Sequence, residues 1–333
     1  ESGSIEQDAD IVSFIYRPET YNVAEWDYPP IGPTEGEAEF IIATSLSLLT
    51  EEMLVWAKAH NIHFSVSLDG TKLVHDQNRK HLLFSSFSKV NDGVKSIIDK
   101  LGSSRVATVT TVTHEALKNP IDIVQAHLDM GLKDMFIRPL SPYGFASHKF
   151  EQFYSVDDYL AFYKVLLEYL IQNYEQIGVI EHSALIHLQK ILKPNSCGYV
   201  DLKSPAGYLL GAMVFDYSGQ IFGSDEARML YKSYGIEELV LGDVDSDLEL
   251  DTNASLQNIL ANSFVSEMPG CDECAYQPYC GSDPMHHLST QGDIVGDKSL
   301  SRFCKYQKGT FDLLFTMLDD KKSFSVFERW LND

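Results

Sequence analysis

From residue 39 onward, apolar residues occur in two alternating patterns along the chain. Short continuous runs predict strands, and apolar residues that recur every three or four positions predict helices. The expected strands cover residues 40–44, 63–68, 105–112 and 134–138. Stretches of helical pattern separate these strands. This order predicts right-handed β-α-β crossovers, and therefore an α/β fold built on a parallel sheet or barrel.

Individual residues mark how several of these elements begin. The run over residues 40–44 is almost entirely apolar and predicts a strand that is buried on both faces. Thr50 can cap the next helix, whose first turn carries Glu51 and Glu52 beside the positive end of the helix dipole. Pro120 predicts the start of a later helix, because proline is well tolerated in a first turn.

Beyond residue 143 the pattern changes. Ser155 and Asp158 predict a capping box in front of a long helix with one apolar stripe. Residues 212–222 predict a hairpin that turns at Ser218 and Gly219. Further helices are expected near residues 254–263 and 306–318. We divide the chain into an α/β part, a helical connector and a cysteine-bearing part, which cover residues 1–150, 151–198 and 199–333.

The composition narrows the possible functions. Among 333 residues, 26 Lys and Arg stand against 48 Asp and Glu, and the net charge is −22. A chain this acidic repels phosphate backbones, so we expect no nucleic-acid partner, whereas a basic partner or peptide would be favoured. The sequence contains no run of 18 apolar residues. We therefore expect no contact with a membrane, and we expect a cytoplasmic protein.

The start of the chain is unusual for a compact α/β protein. It begins with Glu1 rather than Met, and no signal peptide is visible. Residues 19–37 have the composition of a long loop, with several Pro and Gly residues. Long loops without secondary structure are uncommon inside compact domains. We interpret the chain as a fragment or a processed product from which residues are missing.

Four of the five cysteines lie in the last quarter of the chain, with the spacing Cys271-x2-Cys274-x5-Cys280-x23-Cys304. The first pair places two thiolates on one tight turn, and the other two complete a set of four. Four thiolates suit tetrahedral zinc or a cubane iron–sulfur cluster, and the spacing alone is compatible with both. Cys197 stands apart, and it is either a buried apolar residue, the interpretation that we favour, or a fifth contact of the metal centre.

The residues around the cysteines resemble a known family. Residues 270–284 look like the SPASM-type auxiliary-cluster region of radical S-adenosylmethionine (radical SAM) peptide maturases. The stretch from Ser67 through Asp69-Gly70 to His75-Asp76 and Arg79 looks like the S-x-D-G and H-D-x-x-R segment of the same enzymes. Other segments are similar to the maturases of the His-Xaa-Ser system, namely residues 138–146, 198–202, 204–207 and 224–229.

This resemblance implies a fold, an activity and a substrate. The fold would be a partial (β/α)6 TIM-like radical SAM barrel, followed by a SPASM-type iron–sulfur lobe. In such enzymes a [4Fe–4S] cluster cleaves S-adenosylmethionine (AdoMet) reductively, and the 5′-deoxyadenosyl radical abstracts a hydrogen atom from a peptide residue. The implied function is the post-translational modification of a ribosomally made precursor peptide, and a partner maturase is a further implied contact.

The resemblance also implies site residues. Ser67 and Asp69 would contact the nucleoside of AdoMet, and Arg79 would pair with its methionine carboxylate. Ser45 stands at the place of a Thr-Asn pair in the family, and Arg138 would line the same mouth of the barrel. The expected ligands of one auxiliary [4Fe–4S] cluster are Cys271, Cys274, Cys280 and Cys304.

Two motifs of the family are missing. No cysteine precedes residue 197, so the C-x3-C-x2-C loop for the catalytic cluster is absent, and so is the Gly-Gly-Glu-Pro motif. If the first barrel strands are missing from this sequence, the full-length protein is an enzyme that holds AdoMet and a second [4Fe–4S] cluster. Otherwise the chain is a degenerate relative that binds a precursor peptide or a partner maturase without radical chemistry. A zinc-stabilised binding module is the third possibility.

Overall fold

The computed structural model describes residues 11–14, 40–143, 154–193, 208, 213–246 and 254–332. Within these residues the chain forms a six-stranded sheet and a three-stranded sheet. The strands of the larger sheet, in sheet order, are Ile11–Phe14 (β1), Phe40–Thr44 (β2), His63–Ser67 (β3), Val106–Val112 (β4), Asp134–Pro139 (β5) and Ile180–Glu181 (β6). β1 is antiparallel to β2, and the strands from β2 to β6 are parallel. The predicted parallel α/β sheet is confirmed.

Helices accompany the strands of this sheet. They are Glu51–Ala59 (α1), Lys72–Asn78 (α2), Ser86–Leu101 (α3), Pro120–Asp129 (α4), Val156–Ile177 (α5) and His182–Leu192 (α6). Thr50 accepts a hydrogen bond from the Met53 amide, and Ser155 and Asp158 form both bonds of the predicted capping box. These side chains satisfy amide groups that the first turn of a helix leaves unpaired.

The helices bury one face of the large sheet more completely than the other. Along β4, buried residues alternate with more exposed ones, as expected when only one face is covered. On β2, Ile42 packs against the cluster that contains Leu54 of α1 and Val94 of α3, but Ala43 on the opposite face is exposed. The prediction that residues 40–44 are buried on both faces is therefore wrong. Helix cover on one face alone explains the difference.

The smaller sheet contains Val214–Phe215 (β7), Gln220–Phe222 (β8) and Val240–Asp243 (β9), and its neighbouring strands are antiparallel. β7 and β8 form the predicted hairpin. It turns at Ser218 and Gly219, where Gly219 adopts a φ of 91° that favours glycine. Residue 212, the predicted first residue of the hairpin, lies outside the described residues. The helices of this region are Asp225–Tyr234 (α7), Ala254–Ala261 (α8) and Pro284–Gln291 (α9).

Two C-terminal helices complete the fold, Arg302–Leu318 (α10) and Lys321–Trp330 (α11). Leu314 of α10 and Trp330 of α11 share one hydrophobic cluster with Leu166 of α5. α10 begins four residues before the predicted start at 306, because the Ser301 side chain caps it. α11 has no counterpart among the predicted helices. None of the helices in the described part of the chain combines the length and the apolar character needed to cross a membrane.

Candidate functional site

Four of the five predicted cofactor-binding residues lie where parallel strands end. Ser45 follows β2, Ser67 is the last residue of β3, and Arg138 lies one residue before the end of β5. Asp69 comes two residues after β3, and Arg79 is at the C-terminal end of α2. Parallel strands present their carboxyl ends at one edge of a sheet. The structure thus brings these residues to the same edge, which we call the carboxyl edge.

Asp69 is the centre of the contacts at the carboxyl edge. Its carboxylate is buried and accepts hydrogen bonds from Arg79 Nε at 2.9 Å and Arg79 Nη2 at 3.3 Å. It also accepts from Asn78 Nδ2 at 3.3 Å and from the Thr111 amide at 3.4 Å. Two parallel bonds between a guanidinium and a carboxylate fix both groups in orientation. Arg79 is therefore held by a protein carboxylate on one side of its guanidinium.

Thr111 connects Asp69 to Arg138. Its amide donates to Asp69, and its Oγ1 accepts a hydrogen bond from Arg138 Nε at 3.1 Å. Thr111 and Arg138 are opposite each other in the register of β4 and β5, and Arg138 is exposed. A network of polar contacts thus extends over three neighbouring strands. Thr111 was not among the predicted site residues, because a threonine within a β-rich run carries no signal of its own.

His75 of α2 contacts the same network. The Asp69 amide donates to His75 Nδ1 at 3.2 Å, so the neutral ring carries its proton on Nε2. Burial lowers the pKa of His75 to about 4, and the ring is neutral near pH 7. Its Nε2 is buried and has no hydrogen-bond partner among the residues that the structure describes. A buried donor without an acceptor is costly, which favours a ligand that supplies one. In the sequence, the His75-Asp76 pair of the H-D-x-x-R segment had indicated this histidine.

A cavity adjoins His75, and its lining is cationic. Ser45, Arg79, Lys80 and Lys89 line it together with His75. No Asp or Glu is among the described residues that form its wall. This is a local exception on a chain with a net charge of −22. Positive charge and an unused donor favour a ligand with an anionic group such as a carboxylate.

Asp76 fixes the segment that forms one wall of this cavity. Its carboxylate accepts hydrogen bonds from Lys72 Nζ at 2.5 Å, the Phe87 amide at 2.9 Å and Ser85 Oγ at 2.7 Å. Burial raises the pKa of Asp76, but these bonds outweigh it and lower the pKa to about 2. The carboxylate therefore stays charged, and its hydrogen bonds hold in place the loop between α2 and α3 that contains Lys80.

The sheet face beside the carboxyl edge carries small side chains. Ala43, Ser65 and Ala107 are neighbours in the register of β2, β3 and β4, and the two alanines are exposed. Ser67 and Val109 lie on the same face, two residues further along their strands, and are partly exposed. Small side chains leave space for a ligand over the sheet, next to the network around Asp69.

The four C-terminal cysteines, Cys271, Cys274, Cys280 and Cys304, are called the cysteine quartet below. Cys271 and Cys274 share a tight turn, in which the Cys274 amide donates to the Cys271 carbonyl at 3.0 Å. Cys304 lies in the first turn of α10, and its amide donates to Ser301 Oγ at 3.1 Å. All four are free thiols and partly buried. Cys197 and residues 198–207 lie outside the described residues.

The four thiols affect one another electrostatically. The pKa of Cys280 is raised to about 12, mainly by burial; the other three thiols contribute in the same direction, and Lys190 opposes them. Burial also raises the pKa of Cys271 and of Cys304. The donor set, four free thiols from two segments, fits a thiolate-bound metal centre. Among the described residues, however, no three His, Cys, Asp or Glu side chains already form a metal-binding group. The metal site of the quartet stays a prediction.

Aromatic and polar contacts attach the cysteine loop to the rest of the fold. Tyr276 stacks on Phe311 of α10 with ring centroids 5.5 Å apart, and Tyr279 meets Phe315 edge-on at 5.8 Å. Tyr143, which follows β5, donates to Asp283 at 3.2 Å. The loop that carries three of the four cysteines is thus connected both to α10 and to the segment after β5.

Comparison with solved structures identifies the fold. Native anSMEcpe with bound AdoMet matches with a TM-score of 0.68 at 16% sequence identity, over 86% of this chain and 74% of that chain. Native anSMEcpe with bound AdoMet and the Kp18Cys peptide matches with a TM-score of 0.65 at 17% identity, over 86% and 75%. The chain has a partial radical SAM fold. The expected radical SAM fold class is thereby confirmed, with five parallel strands in this structure.

Sequence comparison gives a different result for the start of the chain. The family model of the DnaB-like helicase C terminal domain matches residues 1–61. This range ends between α1 and β3 of the radical SAM fold. It contains no G-x-x-x-x-G-K-(S/T) sequence, the loop that cradles nucleotide phosphates in P-loop proteins. No curated protein matches the chain.

Proposed function

We propose that the protein is a radical SAM maturase that binds AdoMet at the carboxyl edge and acts on a ribosomally made precursor peptide. The observation that carries this proposal is the cationic cavity beside His75 and Arg79 in a radical SAM fold. The motif residues Asp69, His75 and Arg79 support it, since hydrogen bonds join them in one network. The segments at residues 138–146 and 224–229 favour the His-Xaa-Ser system as the subtype.

The contacts suggest a role for each edge residue. Arg79 and the neighbouring lysines would attract the methionine carboxylate of AdoMet, while Asp69 keeps the guanidinium oriented. His75 Nε2 would donate to the same anionic group. Ser45 would contribute a hydroxyl from the end of β2, and Arg138 would line the edge nearer to the peptide. AdoMet bound here would supply radical chemistry in an enzyme that also holds a catalytic cluster, and the residues of this chain would bind and orient it.

The small side chains of the sheet face support a peptide as the second ligand. Ala43, Ser65 and Ala107 leave this face open next to the AdoMet site. Two of the similar structures, of anSMEcpe, contain a bound peptide in addition to AdoMet. A chain with a net charge of −22 would favour a peptide of basic character.

The 333 residues do not contain ligands for the cluster that cleaves AdoMet. No cysteine precedes residue 197, and no C-x3-C-x2-C loop is present. The residues present thus do not fit a catalytic cluster, and we derive no radical step from them. This observation favours a second candidate function, a degenerate maturase that recognises a precursor peptide or a partner maturase.

The cysteine quartet would hold a single auxiliary [4Fe–4S] cluster in either case. Its four free thiols match the usual ligand set of such a cluster, and they match structural zinc equally well. Iron, sulfide and zinc analysis of protein prepared without oxygen distinguishes these two centres. If the analysis finds zinc and no iron, the zinc-stabilised binding module is the correct alternative.

Titration of the protein with AdoMet tests the proposed function. Replacing both Lys80 and Lys89 by Met removes positive charge from the cavity without touching the Asp69–Arg79 pair. We expect this variant to bind AdoMet about tenfold more weakly, which corresponds to about 1.4 kcal/mol. Lys118→Met is the control, because Lys118 is exposed and pairs with Glu115. If the unaltered protein does not bind AdoMet, the proposal is wrong.

A second measurement separates the two candidate functions. Anaerobically reconstituted protein is incubated with a strong reductant, AdoMet and a precursor peptide, and 5′-deoxyadenosine is quantified. Its formation supports the maturase. AdoMet or peptide binding without 5′-deoxyadenosine supports the degenerate relative, and the measurement should use the complete gene product.

A further inference from the structure

A lysine lies between the two segments that bear the cysteine quartet. The Lys298 side chain packs against Gly270, where an added Cβ would be 3.6 Å from Lys298 Cγ. Its Nζ donates to backbone carbonyls of the preceding turn. Its own carbonyl accepts a bond from the Ser301 amide at 3.4 Å. Since Gly270 directly precedes Cys271 and Ser301 caps the helix of Cys304, Lys298 is fixed beside both segments.

The charge of Lys298 acts on both of these thiols. Burial raises the pKa of Cys271 and of Cys304, and the charge of Lys298 reduces this increase. Burial lowers the pKa of Lys298 itself, and the two thiols counteract this, together with Asp293 and Asp297. Lys298 is half-buried, so solvent screens its charge less than that of a surface lysine.

One further lysine lies near the quartet, on α10. Lys308 lies four residues after Cys304 on α10, which places the two residues on one face of the helix, and it also acts on Cys304. Two lysines, one on the loop before α10 and one on α10 itself, thus lie beside the quartet, on a chain whose net charge is −22.

An iron–sulfur cluster with four thiolates is anionic and becomes more so when it accepts an electron. Nearby positive charge stabilises the reduced form more than the oxidised form, because the attraction grows with the charge of the cluster. We propose that Lys298 and Lys308 form a positive rim that raises the reduction potential of the cluster held by the cysteine quartet. This inference rests on the proposed auxiliary cluster.

The test is a redox titration of the full chain after anaerobic reconstitution, followed by electron paramagnetic resonance. In Lys298→Met the side chain keeps its length and loses its charge, whereas Lys298→Arg keeps the charge. We expect Lys298→Met to shift the midpoint potential to a more negative value. A tenfold change in the reduction equilibrium corresponds to about 59 mV for one electron. Lys298→Arg should stay near the wild-type value.

Lys305→Met is the matched control. Lys305 directly follows Cys304, but its Nζ pairs with Asp157 of α5 at 2.7 Å. This substitution should leave the potential unchanged. Lys308→Met should shift the potential in the same direction as Lys298→Met but by less, since Lys308 is exposed. High salt should reduce the effect of Lys308 more than that of Lys298.

The outcomes separate this inference from the proposed cluster. Wild-type protein without iron and sulfide would overturn the cluster itself. A loaded cluster whose potential is the same in wild type and Lys298→Met would overturn the positive rim. If Lys298→Met does not assemble a cluster, Lys308→Met decides, because this exposed position tolerates substitution. An unchanged potential in Lys308→Met at low salt would then contradict the proposal.

Discussion

At the carboxyl edge, Asp69 accepts hydrogen bonds from Arg79, Asn78 and Thr111. In the cysteine quartet, the four thiols are free and their described surroundings form no closed metal-binding group. The edge is thus held by contacts within the protein, whereas the quartet needs an added ion or cluster to join its sulfur atoms. A ligand would bind at a carboxyl edge that is already formed. A metal ion or cluster, by contrast, would complete the structure of the quartet.

This difference has a consequence for stability. Removing a ligand from the carboxyl edge leaves the Asp69–Arg79 ion pair and the hydrogen bonds around it intact. The His75 Nε2 donor would lose the acceptor that the ligand supplied. Removing a metal from the quartet leaves the cysteine loop held by backbone turns, aromatic packing such as Tyr276 against Phe311, and side-chain hydrogen bonds such as Tyr143 to Asp283. Substitutions in the two regions should therefore change different measurable properties.

Cys271→Ala should have the largest effect. With one of four ligands removed, we expect nearly complete loss of bound iron and of the visible absorbance of anaerobically prepared protein. Cys197→Ala is the control and should keep both, because Cys197 is separate from the quartet in sequence. Unchanged visible spectra in Cys271→Ala would show that the cluster assignment to the quartet is wrong.

Asp69→Asn should produce the largest loss of stability at the carboxyl edge. It removes the charge partner of Arg79 in a pair whose carboxylate is 3% exposed. We expect the free energy of unfolding to fall by about 3 kcal/mol, as for other buried pairs that lose one partner. Arg138→Gln should change it by no more than about 0.5 kcal/mol, because Arg138 is exposed. Urea denaturation measures both, and equal effects would contradict the central role of Asp69.

Acid should destabilise both regions through buried histidines. Burial lowers the pKa of His75 to about 4, and burial together with Lys298 lowers that of His287 to about 4, below the ordinary value of 6.5. The folded state then binds protons less readily than the unfolded chain. The stability present above pH 6.5 is therefore lost as the pH falls toward 4, by up to about 1.4 kcal/mol per pH unit for each histidine.

Two single variants separate the contributions of the two regions to this loss of stability in acid. His75→Gln should flatten the dependence of the unfolding free energy on pH between 6.5 and 5 through the carboxyl edge, and His287→Gln should do so through the cysteine lobe. Urea denaturation at several pH values provides the comparison. A variant with the same slope as wild type would exclude its histidine as a source of the sensitivity.

Ser301→Ala should have a smaller effect on stability and a specific one on the quartet. Ser301 caps α10 by accepting from the Cys304 amide, and its Oγ also contacts His287 Nε2 at 2.9 Å. We expect a loss of about 1 kcal/mol, as for other helix caps. Ser155→Ala, at the cap of α5, should cost about the same. Only Ser301→Ala should weaken metal binding, which competition with a chelator measures; equal metal affinity in both variants would contradict this role.

The local elements of the fold were predictable because short-range signals define them. The strands β2 to β5, the capping box at Ser155 and the hairpin turn at Gly219 all lie at the predicted places. The burial of β2 was not predictable in the same way. Whether Ala43 is covered depends on which face the helices occupy, and the apolar run does not specify this. α11 was missed for a related reason, since its packing against α5 involves residues far away in the chain.

The sequence by itself determined the alternation of strands and helices, the acidic charge and the spacing of four cysteines. These properties depend on residues that are close together in the chain. Only the tertiary structure decided that Arg79 pairs with Asp69, that Thr111 connects Asp69 to Arg138, and that Lys298 lies beside both cysteine segments. Such contacts join separate elements, and their geometry is set by how the sheet and helices pack rather than by any local pattern.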